Sequence, residues 1–137
     1  MSSFVADPNK PTTRCFDVES LKKRCLGRID LANRVLEKFN CAVENDIAQL
    51  EQAIAARNLP EVARLAHRVR GTSLSVSAGN LAEYSHQLEC RALKLASTEE
   101  QQVTENLQLL ETLLSELRSE YTSVSEMTTS IGQGLNA

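Results

Sequence analysis

The sequence predicts an all-α fold, an antiparallel up-down four-helix bundle with a short extra N-terminal helix. Three observations carry that prediction. Apolar residues recur every three or four positions over several long stretches, the signature of helices buried along one face. The breaks between those stretches are short, which favours antiparallel neighbours. Turn and strand punctuation is scarce, with 4% aromatic residues, 5 Gly and 3 Pro in 137 residues.

Residues 1–16 are polar, carry Pro8 and Pro11, and read as a flexible arm. A short helix follows with Asp17 as its cap, Val18, Leu21 and Cys25 as its contacts, and Gly27 as its stop. Asp30 is then expected to cap a long helix whose stripe is Leu31, Val35, Leu36, Phe39, Val43, Ile47, Leu50 and Ile54. Arg34, Glu37, Glu44, Asn45 and Gln52 fall on its solvated side. Asn58 suits a left-handed end to that helix, and Pro60 suits the first turn of the next.

The next helix is expected to run from Pro60 to about Ser77, with Val62, Leu65, Val69, Ser73 and Val76 inward. Ala78-Gly79-Asn80 breaks it, and Asn80 can cap a fourth stretch bearing Leu81, Tyr84, Ser85, Leu88, Ala92 and Leu95. Ser97 and Glu100 form a capping box for the last helix, whose seam is Val103, Leu107, Leu110, Leu114, Leu117 and Tyr121. That seam reads as core rather than as a dimer interface. The periodicity weakens afterwards, although Val124 and Met127 can prolong it. The helical domain therefore spans 17–128, and 129–137 reads as a frayed tail.

Composition excludes several function classes. A net charge of -3 exerts no general pull toward nucleic acid or an anionic membrane. Nothing approaches 18 consecutive apolar residues, and the N-terminus lacks the basic and apolar regions of a secretory signal. Cys15, Cys25, Cys41 and Cys90 contain no Cys-x-x-Cys pair, so they read as reduced thiols of a cytoplasmic protein, with no metal site.

The chemistry concentrates in Leu65-Ala66-His67-Arg68-Val69-Arg70-Gly71-Thr72-Ser73. On a helical wheel, Leu65, Val69 and Val76 lie between about 160° and about 200° from His67, so the imidazole should face water. Arg64 and Arg70 share its face at minus three and plus three, and Gly71 follows at plus four. An exposed imidazole is nucleophilic near neutral pH, and flanking guanidinium groups can hold phosphate oxygens. Gly71 costs the helix about 1 kcal/mol relative to alanine and clears the space above the ring. Leu74, on the same face, is either an ordinary exposed leucine or an apolar contact for a partner. Arg68, partly beside the site, either steers an acidic partner or simply solubilises. One of Gln87 and Glu89 can orient His67 from the next helix, the alternative being polar helix surface for both. His86 also faces outward, but Glu83 and Gln87 beside it offer no phosphate cradle.

This stretch, followed by Leu81-Ala82 and Leu88-Glu89, resembles the histidine-containing phosphotransfer (HPt) domain, whose motif is Ala-His-x-Leu-Lys-Gly-Ser-Ser with Leu-Ala and Leu-Glu at the same spacing. The resemblance covers roughly residues 17–125. It implies a four-helix bundle whose exposed histidine relays phosphoryl groups between receiver-domain aspartates. His67 matches the phosphorylated position, Arg70 the basic position (usually lysine) and Gly71 the glycine. The family often has a second glycine where this chain has Ser77, leaving Gly79 to supply flexibility.

The expected function is thus that of a phosphorelay intermediate in two-component signal transduction, with receiver domains, including one on a hybrid sensor kinase, as partners. The resemblance implies no cofactor on this chain and a magnesium ion on the receiver. Arg64, Arg68 and Arg70 would steer its acidic surface. No Gly-rich phosphate loop is present for self-phosphorylation from ATP, so the chain is not expected to be an enzyme. Arg68 also stands where a sensor-kinase dimerisation helix usually carries an acid. The chain is expected to be a monomer. The rival reading is a helical adaptor that binds a receiver or another signalling partner without phosphotransfer. A metal-dependent hydrolase is a remote third.

Overall fold

The computed structural model describes residues 17–97 and 100–135. Among them the chain forms five helices and no strand: α1 (Val18–Arg24), α2 (Ile29–Ala55), α3 (Leu59–Ser75), α4 (Gly79–Ala96) and α5 (Glu100–Leu135). Residues 1–16, expected to form an arm, lie outside the described residues, as do the side chains of Val18 and Val103.

The first three helices end alike. Beyond each last turn one residue takes the left-handed conformation: Leu26 (φ 55), Arg57 (φ 57) and Ser77 (φ 63). The following amide reaches back five residues: Gly27 N to Lys22 O, Asn58 N to Ala53 O and Ala78 N to Ser73 O, each at 2.9 Å. These are Schellman ends built on non-glycine residues. They correct two expected boundaries. Asn58 is not left-handed; its side chain accepts from Glu61 N and caps α3. Gly79 is not the hinge; it opens α4, and Ala78 rather than Asn80 holds the capping position. Ser77 turns the chain earlier because α1 grips it there. Asp17 N donates to Ser77 O at 3.0 Å, and Ser77 Oγ lies 2.9 Å from Ser20 Oγ.

Asp30 also moves. Helix α2 begins at Ile29, which leaves Asp30 within the first turn, where the Arg28 guanidinium at 3.0 Å holds its carboxyl below the usual range. Ser97 closes α4 by donating to Lys94 O at 2.8 Å; Glu100, its expected box partner, has a side chain outside the described residues. Asp17 caps α1 as expected, accepting from Ser20 N at 3.1 Å.

The tail boundary is corrected as well. α5 continues past Thr129 to Leu135. Val124 is fully buried, Met127 packs on the core, and buried Thr128 donates to Ser125 O while accepting from Asn40 Nδ2. The inward stripe thus outlasts Tyr121.

The core follows the expected stripes. Leu36, Phe39, Val43, Ile47, Leu50 and Ile54 of α2 meet Val62, Leu65, Val69 and Val76, Leu81 and Leu88 of α4, and Leu110, Leu114 and Leu117 of α5. α2 packs on α3 and α5, and α4 packs on the same two, so the pairings close a ring. The α3–α4 contact is the most extensive. α1 touches α2 and ties to the end of α3, where Arg24 donates to Leu74 O at 2.6 Å. Polar ties also join neighbouring helices of the ring. Asp46, buried on α2, receives the Arg68 guanidinium. Tyr121 donates its hydroxyl toward Glu44 Oε1 at 3.0 Å and Asn40 O at 3.2 Å, and burial followed by that carboxylate pushes its phenol well above its ordinary value.

Candidate functional site

His67 projects from the middle of α3 with 67% of its side chain exposed, opposite buried Leu65 and Val69, as its wheel position requires. Its Nδ1 lies 3.0 Å from Glu89 Oε2 and 3.3 Å from Oε1 on α4. Glu89 is only 17% exposed, so the neighbouring helices hold it against the ring. A carboxylate can only accept, so Nδ1 carries a hydrogen, and in the neutral tautomer Nε2 is the nitrogen with the lone pair. The free nitrogen is then on the side of the ring away from Glu89. This arrangement presents an oriented imidazole to solvent.

Of the two candidates on α4, Glu89 meets His67. Gln87 points elsewhere and lines a groove between α4 and α5 with Glu83, Cys90, Arg91, Lys94, Leu109 and Leu113. His86 is half-buried, with Nε2 3.6 Å from Cys90 Sγ one turn along its own helix.

The three arginines expected around His67 separate by what they already bind. Arg68 is committed to Asp46, with Nε 3.1 Å from both carboxylate oxygens, and so braces α3 against α2. Arg64 forks onto Glu61, one turn back on α3, with Nη2 2.9 Å from Oε2. That contact holds the Glu61 carboxyl below the usual range and raises Arg64. Arg70 is half-buried and makes no hydrogen bond or ion pair among the described residues. It is the guanidinium at His67 left available to an incoming anion.

Gly71 follows His67 by one turn and borders open space. A methyl group there would meet nothing within 4 Å, so packing within the chain does not require the glycine. Leu74, one turn further, is 47% exposed. Thr72, Ser73 and Ser75 turn their hydroxyls onto carbonyls of their own helix (Arg68, Val69 and Thr72), leaving none at the ring. No group of three or more metal-ligating side chains occurs among the described residues, and no helix there is long and apolar enough to cross a membrane.

Sequence reasoning passed over Asp46 and Glu61. The signal for Asp46 was present: an acid three residues after Val43 and four before Leu50 sits on the apolar stripe and needs a cation. Glu61 lies three residues before Arg64, the spacing of a surface helix pair.

A family model described as the Hpt domain matches residues 34–120, from the first turns of α2 to near Tyr121 in α5. No curated protein and no solved structure matches the chain. The matched span is more than half of the sequence and holds His67, Glu89, Arg70 and Gly71 together. The chain belongs to the Hpt domain family, and its exposed, glutamate-held histidine lies in a histidine phosphotransfer module.

Proposed function

We propose that this protein is a phosphorelay intermediate that accepts a phosphoryl group on His67 from one receiver-domain aspartate and passes it to another. The observation that carries the reading is the His67–Glu89 contact at 3.0 Å in a ring two-thirds open to solvent. Nε2 attacks the phosphorus of the aspartyl phosphate, the P–N bond forms as the P–O bond breaks, and the aspartate carboxylate leaves with its electron pair. The return step is the reverse, on a second receiver. Glu89 holds the Nδ1 hydrogen and stabilises the cationic ring that forms during attack. Arg70 binds phosphoryl oxygens, with Arg64 second, and Gly71 leaves room for the receiver backbone. Leu74 serves as an apolar contact at the rim.

The chain supplies no cofactor in this scheme; the magnesium ion belongs to the receiver. The ring of helix contacts supports reading α2–α5 as an antiparallel up-down four-helix bundle, with α1 as the short additional helix. A monomer in the cytoplasm completes the reading.

The test is transfer from a panel of phosphorylated receivers, scored as acid-labile, base-stable label. Wild type should take label and His67→Ala should not. Label absent from wild type with every receiver would leave the adaptor reading; label retained by His67→Ala would place the acceptor elsewhere.

A further inference from the structure

Arg64 sits on the His67 face one turn away, yet its Nε and Nη2 are engaged by Glu61, one turn further back. We propose that Glu61 is a positioning residue that parks Arg64, withholding it from unmodified His67 and releasing it to the phosphoryl group once His67 is modified. The inference rests on the phosphocarrier reading and adds a competition between two anions for one guanidinium.

Three features support it. The pair is exposed, with half of the Arg64 side chain open to solvent, so it is held weakly and exchanges quickly. The competing anion is stronger: a phosphoryl group carries up to two negative charges and three acceptor oxygens against one charge and two oxygens. Finally, Arg68 cannot substitute, because buried Asp46 holds it. Arg64 is therefore the guanidinium that can join Arg70 after modification. Glu61 sets how readily it does so, and thereby the balance between holding phosphoryl and passing it on. Without Glu61, phospho-His67 would be stabilised and donation would slow.

The full chain can be tested without knowing its receivers, using phosphoramidate as donor. The P–N bond of phosphoramidate breaks as the bond to Nε2 forms, and ammonia leaves with the electron pair. The readout is the phosphorylated fraction of His67 at equilibrium, at fixed phosphoramidate and ammonia, by intact mass. Glu61→Gln should raise the equilibrium constant by about threefold, an effect suited to an exposed pair, and Glu61→Asp should fall between. In an Arg64→Ala background, Glu61→Gln should change nothing, because Glu61 acts through Arg64. A persisting increase there would mean that Glu61 acts by simple repulsion and would overturn the inference, as would equal constants for wild type and Glu61→Gln. No label on wild type from phosphoramidate or any receiver would instead sink the phosphocarrier reading. Unchanged urea midpoints across the series would exclude a folding effect as the cause.

Discussion

At His67 the decisive quantity is which ring nitrogen is free. Glu89 fixes the hydrogen on Nδ1, so removing its carboxyl should leave the imidazole sampling both tautomers and more orientations. Glu89→Ala is expected to slow phosphoryl acceptance roughly tenfold, the scale associated with losing a group that orients an imidazole, while Glu89→Gln, which still offers an acceptor oxygen, should lose less. Initial rates with phosphoramidate distinguish the two. Gly71 makes a different demand. Because an added Cβ meets nothing within 4 Å, Gly71→Ala should stabilise the fold by about 1 kcal/mol. Labelling by phosphoramidate should persist while transfer from a receiver slows, since only the larger donor needs the cleared backbone. Equal slowing with both donors would tie the glycine to the ring rather than to the partner.

Helix ends and helix braces decide the next scale. Leu26 and Arg57 hold left-handed conformations that cost an L side chain roughly 1 kcal/mol, and both are exposed. Leu26→Gly and Arg57→Gly should therefore each raise unfolding free energy by about 1 kcal/mol and add when combined; a urea series checks this. The Asp46–Arg68 brace should be lopsided. Arg68→Ala strands a carboxylate that is 4% exposed and should cost about 3 kcal/mol, whereas Asp46→Ala leaves a guanidinium that can reach water and should cost less. Tyr121 gives α2 and α5 a pH signature. Its folded phenol titrates above the ordinary value of 10.0, chiefly through burial. Its contribution is therefore complete below pH 10.0 and declines as pH rises beyond it. Urea midpoints at alkaline pH should fall for wild type more steeply than for Tyr121→Phe.

Over the whole molecule, what could be read in advance followed chain distance. The stripes of α2, α3 and α4, the outward direction of His67 and the Asp17 cap are local consequences of a 3.6-residue repeat. They are legible because each depends only on neighbours along one helix. The partners of Arg68 and His67 lie 22 residues away in each case. They depend on how far one helix slides along another, which no single helix encodes. That is why Glu89 could not be preferred over Gln87, and why the Asp46 contact of Arg68 was not foreseen. The helix ends failed for a subtler reason: Asn58 had two favourable uses, and capping α3 won. His67 and Glu89 sit on α3 and α4, the pair with the most extensive contact and a very short connection. Contacts so close in sequence close cheaply and early, and dense packing raises the free energy of local opening. Amide hydrogens of Leu65, Val69, Leu81 and Leu88 should therefore be among the slowest to exchange with deuterium. His67 would then stand on the slow-exchanging heart of the molecule, keeping its geometry through fluctuations that open less densely packed segments.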